Sequence, residues 1–171
     1  MTVNCSTTHE LKLSLLTLCD QTGLEAVGRI VIADNGSRDG GIQFLRKLDE
    51  RVDRVHLVRN RLFLNHARGM RRCLRALDEI EQDDPESARA NLLLFCDPDV
   101  IFRRPDTLKD LSSTIRGTDA SLVGEFRRGV NAHPDIQASF FVVRRDCYAS
   151  ASVAPWVDHG SPAYWMQRSI L

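Results

Sequence analysis

The chain has 171 residues, 43% hydrophobic and 27% charged, with 23 basic and 23 acidic side chains; this suits one domain with a packed core, and zero formal charge argues against a broad nucleic-acid or membrane-surface footprint. No apolar run approaches the roughly 20 residues of a transmembrane span, and "MTVNCSTTHE" lacks the basic and apolar stretches of a signal peptide. Five scattered cysteines without a CxxC pair exclude the usual structural zinc site and read as reduced, mostly buried thiols of a cytoplasmic protein.

The pattern alternates between strand-like and helix-like pieces, with no internal repeat. "TVNC" predicts a short first strand. "STTHELKLSLLTLCDQTG" predicts a helix, with Thr7 and Glu10 spaced as a capping box and Gly23 as its stop. "RIVIAD" predicts a second strand ending at Asp34, followed by the turn "NGSRDGG" and a short helix over "IQFLRKLDE". "RVHLVRN" predicts a third strand ending at Asn60. In "NHARGMRRCLRALDEIEQ", Met70, Cys73, Leu74, Leu77 and Ile80 recur at helical spacing on one face. Asn65 is positioned to cap this helix. Arg71, Arg72 and Arg75 read as its solvated face, while Arg68, in the first turn, is the best of the arginines for reaching a ligand. "LLLFC" is an unbroken apolar run suited to a central strand buried on both faces. "DASLVGEF" and "ASFFVVRRD" predict later strands.

Such alternation implies an α/β fold, a mostly parallel central sheet with helices on both faces. Ligands of such sheets bind beyond the carboxyl ends of the strands. Asp34, Asp97 and the region around Cys5 and Ser6 all fall at such ends, so three loops are expected to line one crevice. At "IVIADNGSRDGG" the acids suit either helix capping or hydrogen bonding to a base and ribose. At "LLLFCDPDV" two carboxylates one residue apart repel each other. They form either a solvated turn around Pro98 or a hard-cation site, in which Asp97, Asp99, diphosphate oxygens and water surround Mg²⁺ or Mn²⁺.

Taken together, "VIADNGSRDGG", "NHARGM", "LLLFCDPDV" and "FFVVRRDCY" resemble, in order and spacing, the signatures of family 2 glycosyltransferases with the Rossmann-like GT-A fold. The resemblance runs through most of residues 1–171, read as a single domain. It implies metal-dependent, inverting transfer of a hexosyl-type sugar from a UDP-, GDP- or dTDP-linked donor to a glycan, lipid or small-molecule hydroxyl. By position, it puts Ser6, Asp34, Asn35, Asp39, Arg68 and Asp97 at the nucleotide, and Asp97 and Asp99 at Mn²⁺ or Mg²⁺. Three features depart from the family. Cys5-Ser6 stands where Tyr-Asn is usual, Gly69 follows Ala67-Arg68 where Asn is usual, and no Glu-Asp pair follows Arg144-Arg145. Asp158 is then the nearest candidate for the catalytic base. The chain also ends early for this fold, leaving the acceptor side short. Two alternatives remain at this level: a nucleotide-binding domain of the same fold without catalysis, and a haloacid-dehalogenase-like phosphatase. The latter normally follows its paired aspartates with a small residue and Thr, where this chain has Val100-Ile101.

Overall fold

The computed structural model describes residues 1–60, 62–84, 89–129, 135–150, 152–157 and 163–170. In chain order these form β1 (Thr2–Asn4), α1 (Thr8–Cys19), β2 (Ile30–Asn35), α2 (Ile42–Arg51), β3 (Val55–Asn60), α3 (His66–Asp83), β4 (Leu92–Cys96), α4 (Thr107–Gly117), β5 (Leu122–Arg127), β6 (Asp135–Arg144), α5 (Arg145–Tyr148) and α6 (Tyr164–Ile170). α4 falls where the sequence patterning predicts no element.

β1, β2 and β3 form a parallel ladder, with Asn4 beside Asp34 and Asn35 beside Asn60. β4, β6 and β5 form a second ladder in which both pairings are antiparallel. Met1 joins the two. Its N–H donates to Leu94 O at 2.8 Å, and its carbonyl accepts from Cys96 N at 3.0 Å. One residue bonded to two positions that flank Phe95 is the parallel pattern. The strand order is therefore β3-β2-β1-β4-β6-β5, and only β6 runs against the rest. The expected sheet is corrected at this point. Its strands are mostly parallel in direction, but the later half pairs through one reversed strand. That strand follows β5 with no helix between them among the described residues, so it can return alongside β4 without a crossover.

Helices cover both faces, as expected. Strand residues alternate between them. Val31, Ala33, Leu93, Phe95, Phe141 and Val143 join Ala67, Met70, Cys73 and Leu77 of α3 and Met166 of α6 in one core. Ile32 and Val55 join Leu11 of α1 and Leu45 of α2 in the other. Gly69 sets how closely α3 lies on the sheet, because a Cβ there would sit 2.7 Å from a Val3 methyl and 3.2 Å from Asn35 Nδ2. The solvated arginine face is corrected in part. Arg71 is half-buried and donates to Trp156 O at 3.0 Å, while Arg72 and Arg75 are exposed as expected, Arg72 also donating to Asn60 Oδ1.

Two further expectations change. The capping box does not form: Thr7 Oγ1 donates to Asn4 Oδ1 and makes no cap bond. α1 also ends at Cys19, ahead of Gly23, whose φ of 92° starts a short 3₁₀ turn over Leu24–Ala26. The cysteines are all free, but only Cys73 is fully buried, whereas Cys5 and Cys19 are exposed. Burial pushes the thiols of Cys73 and Cys96 up to about 11, which keeps them protonated and unreactive at neutral pH.

Candidate functional site

The loops after β1 and β2 are laced together at the carboxyl edge of the sheet. Asn4 is fully buried, and its Nδ2 lies 3.2 Å from Asp34 Oδ1, 3.0 Å from Ser37 Oγ and 3.1 Å from Thr8 Oγ1. Asp34 Oδ2 accepts Ser37 N at 3.4 Å. Ser6 N donates to Ser37 Oγ and Ser6 Oγ accepts Arg38 N, both at 2.9 Å. These bonds hold Ser6 at a φ of 56°, a left-handed conformation that costs a non-glycine residue of order 1 kcal/mol. Asp34 is 4% exposed. A carboxylate has about four acceptor sites, so these bonds leave it acceptor capacity.

Asp39 reaches back from the second loop. Its Oδ2 accepts Thr8 N at 2.8 Å and its Oδ1 accepts Gly41 N at 3.0 Å. Desolvation acts to raise its pKa, but these hydrogen bonds outweigh it and hold the carboxyl below the ordinary range. Asn35 points to the opposite face from Asp34 and is committed internally. Its Nδ2 donates to Leu64 O and its Oδ1 accepts Asn60 Nδ2, both at 2.6 Å. Asn65 caps α3 as expected, accepting Arg68 N at 2.9 Å, and the Arg68 side chain is exposed beside that cap.

The acid pair lies at the end of β4. Asp97 N donates to Ser139 O at 2.7 Å, and Val100 N closes a turn onto Asp97 O at 3.2 Å. The Asp97 side chain is 32% exposed and faces His66 Nε2 at 3.7 Å. Desolvation raises the Asp97 pKa, the nearby His66 opposes this, and the charge of Asp99 adds to the rise. A carboxyl destabilised by burial and by a like charge suits a divalent cation, as do two hard oxygen donors. Among the described residues, no three His, Cys, Asp or Glu side chains converge as a complete metal cage. The rest of a cation's coordination would come from outside this set.

Two residues of this region escape the sequence patterning. Asn4, which orients Asp34, is signalled only as a polar end to an apolar strand. His66, which faces Asp97, is signalled only by its place next to the helix cap. The Arg144-Arg145 pair, by contrast, lies at the far edge. β6 runs in reverse, so Arg144 pairs with Leu92 at the start of β4. Arg144 donates to the carbonyls of Ile115, Thr118 and Ala120, and Arg145 pairs with Asp78 and Glu81. The chain then returns toward the site. Trp156 is fully buried, and its ring lies 5.7 Å from that of His66. Asp158 lies outside the described residues. A cavity of about 370 Å³ between α1, α4 and β4 is lined by none of the predicted site residues.

No protein-family model matches the chain, and no curated protein does. Solved structures do match. The chain is similar to the mannosyltransferase PcManGT from Pyrobaculum calidifontis, determined in complex with GDP-Man and Mn²⁺, at 15% identity and a TM-score of 0.73, covering 98% of this chain and 49% of that one. It is similar to residues 1–349 of S. aureus TarS at 13% identity and a TM-score of 0.70, covering 99% and 53% respectively. It also matches the same TarS fragment in complex with UDP-GlcNAc, at 13% identity and a TM-score of 0.68. The fold is thus the GT-A-like fold of glycosyltransferases. This chain spans about half the length of the chains it matches.

Proposed function

We propose that this protein transfers a hexosyl-type sugar from a nucleoside-diphosphate donor to an acceptor hydroxyl, with inversion at the anomeric carbon. The observation that carries the reading is the placement of Asp34 and of the Asp97–Asp99 pair at the carboxyl ends of parallel strands in a GT-A-like sheet, where such sheets bind ligands. The solved structures of the same fold include complexes with GDP-Man and Mn²⁺ and with UDP-GlcNAc, which supports a nucleotide-sugar donor.

In this reading Asp34 accepts hydrogen bonds from the base or ribose. Ser6 and Asp39 hold the two loops that flank it, and Arg68 lies beside the nucleotide. Asn35 supports the pocket through its bonds to Asn60 and Leu64. Asp97 and Asp99 would hold Mn²⁺ or Mg²⁺. When bound, that cation supplies charge neutralisation for the departing diphosphate. The acceptor oxygen bonds to the anomeric carbon as the bond from that carbon to the diphosphate oxygen breaks. The acceptor proton passes to a base, for which Asp158 is the candidate. The supporting fact in the described residues is that Trp156, two positions earlier in the chain, packs against His66 next to Asp97. The acceptor is a glycan, lipid or small molecule, and the location is assigned to the cytoplasm. Among the described residues no helix is long and apolar enough to cross a membrane.

The test is thermal unfolding with UDP, GDP and dTDP, with and without Mn²⁺ or Mg²⁺. A ligand that binds only the folded state raises its stability by mass action. The expected outcome is a shift with at least one nucleotide that grows when the cation is added. No shift with any of the three overturns the reading. Binding without transfer or donor hydrolysis, across donors and acceptors, favours a non-catalytic domain of the same fold.

A further inference from the structure

We infer that the cavity between α1, α4 and β4 binds a single-chain amphiphile with an anionic head, a carboxylate or phosphate monoester on a long alkyl tail. The inference goes beyond the nucleotide-sugar reading and does not rest on it. β4 lies inside the sheet, yet its two faces differ. Leu93 and Phe95 belong to the core under α3, whereas Leu92 and Leu94 are partly exposed and join neither packed core. The cause is the placement of the helices on that second face. α1 packs over Ile32 of β2, and α4 lies against β5 and β6, so β4 is left between them. The resulting cavity has a volume of about 370 Å³ and follows β4 from Leu92 to Cys96. Small-molecule sites span roughly 300–1,000 Å³. Leu11 and Leu15 of α1, Leu108 and Leu111 of α4, Phe102 and Leu94 line it. The buried hydroxyls of Thr2 and Ser14 are polar exceptions on this wall.

At the amino end of β4 the character changes. A second cavity, of about 460 Å³, shares Arg89, Asn91, Leu92 and Arg116 with the first and adds Arg144, Arg145 and Asp146. Arg89 and Arg145 share the carboxylates of Asp78 and Glu81. Arg144 donates to carbonyls, and Arg116 is exposed with no ion pair among the described residues. The charges of Arg116 and Arg144 are thus the ones left for a ligand, and Arg116 lines both cavities. An apolar trough with a cationic mouth complements an alkyl tail and an anionic head. Burial of the tail is favourable in proportion to its area, and guanidinium groups hold carboxylate or phosphate oxygens through paired N–H donors. The mouth lies at the edge opposite Asp97, since Asn91 precedes β4 and Asp97 follows it, so this ligand is distinct from the sugar acceptor.

The test is calorimetry on the full chain with dodecanoate, dodecyl phosphate, dodecyltrimethylammonium and inorganic phosphate. At least one anionic amphiphile is expected to bind at a single site, ~10-fold or more tightly than the cationic one, and the tighter of the two anions names the head group. Arg116→Glu should weaken the anionic amphiphile and strengthen the cationic one. Leu111→Trp places an indole in the cavity from a partly exposed position and should weaken the anionic amphiphile by ~10-fold or more. Circular dichroism checks that each variant is folded, and Leu15→Trp fills the same cavity from α1 if Leu111→Trp is not. No binding by either anionic amphiphile, or equal affinity for anionic and cationic ones, overturns the inference. So does binding unchanged in Arg116→Glu or in the folded cavity-filling variant. Inorganic phosphate that binds as tightly as dodecyl phosphate also overturns it, because the cavity would then contribute nothing.

Discussion

Asp39 caps a helix that begins 31 residues before it: its carboxylate accepts the backbone N–H of Thr8 at 2.8 Å. The bond joins the loops after β1 and β2, so one side chain both starts α1 and closes one wall of the candidate pocket.

Loss of that cap should cost stability. Asp39→Ala is expected to destabilise the protein by about 1 kcal/mol, the usual cost of removing an N-terminal cap, as measured by urea unfolding. The pH dependence follows from the lowered pKa. The contribution of Asp39 is fully present above its unfolded pKa and is lost as pH falls through the lower folded value. The gap between wild type and Asp39→Ala should therefore be constant near neutrality and close only in the acid range. A gap that persists at strongly acidic pH would assign the effect to lost packing.

Asp97 should trade stability for cation binding. Its raised pKa means that the folded state disfavours the charged carboxylate. The protonated form favours folding, and this preference is lost as pH rises through the folded pKa. At neutral pH, without cation, Asp97→Asn is therefore expected to unfold at a higher temperature than wild type. The same variant, and Asp99→Asn, should show no additional stabilisation when Mn²⁺ is added to bound nucleotide. An unchanged Mn²⁺ increment in Asp99→Asn would remove Asp99 from the cation site.

Asp34→Ala should weaken nucleotide binding by about 1–3 kcal/mol, the range for a hydrogen bond to a charged group, and calorimetry should show the loss with or without cation. Asp34 also holds Asn4 and Ser37, so Asn4→Ala provides a control. A nucleotide loss equal in the two variants would mean that Asp34 acts by shaping the loop alone.

Gly69→Ala should separate α3 from the sheet. The added methyl would meet Val3 at 2.7 Å, and overpacking of this kind costs about 1–3 kcal/mol. Thermal unfolding measures it. Wild-type stability in this variant would mean that α3 can slide without cost.

For Asp158, the base assignment predicts that Asp158→Asn reduces turnover by about 10²-fold or more with nucleotide affinity nearly unchanged, since the base acts on the acceptor. Steady-state rates with the active donor measure the first and calorimetry the second. Full turnover in Asp158→Asn would move the base elsewhere.

Much of the frame is legible in local patterning. Leu92–Cys96 is apolar throughout and forms a strand in the interior of the sheet, but the expected burial on both faces is met on one only: Leu93 and Phe95 are buried, whereas Leu92, Leu94 and Cys96 are partly exposed. Met70, Cys73 and Leu77 recur at helical spacing and are buried against that sheet. Asn65 caps α3 where a capping residue precedes a periodic run. The strand ends at Asn35, one residue past the expected Asp34, and at Cys96 bring the acids to the carboxyl edge because parallel strands share one direction. These properties depend on near neighbours in the chain, and near neighbours are what a sequence displays. The rest depends on distant partners. Thr7 has the spacing of a cap, but Asp39 occupies the Thr8 N–H, because the second loop folds over the first. Asn35 stands next to Asp34 in sequence, yet strand alternation turns it to the other face, into the bonds to Asn60 and Leu64. The reversal of β6 has the largest effect. It carries Arg144 and Arg145 to the edge opposite Asp97, where they bond carbonyls and the acids of α3. An apolar strand reads the same in either direction, so only the pairing of Leu93 with Val143, rather than with a residue at the other end of β6, decides which loops meet at the site.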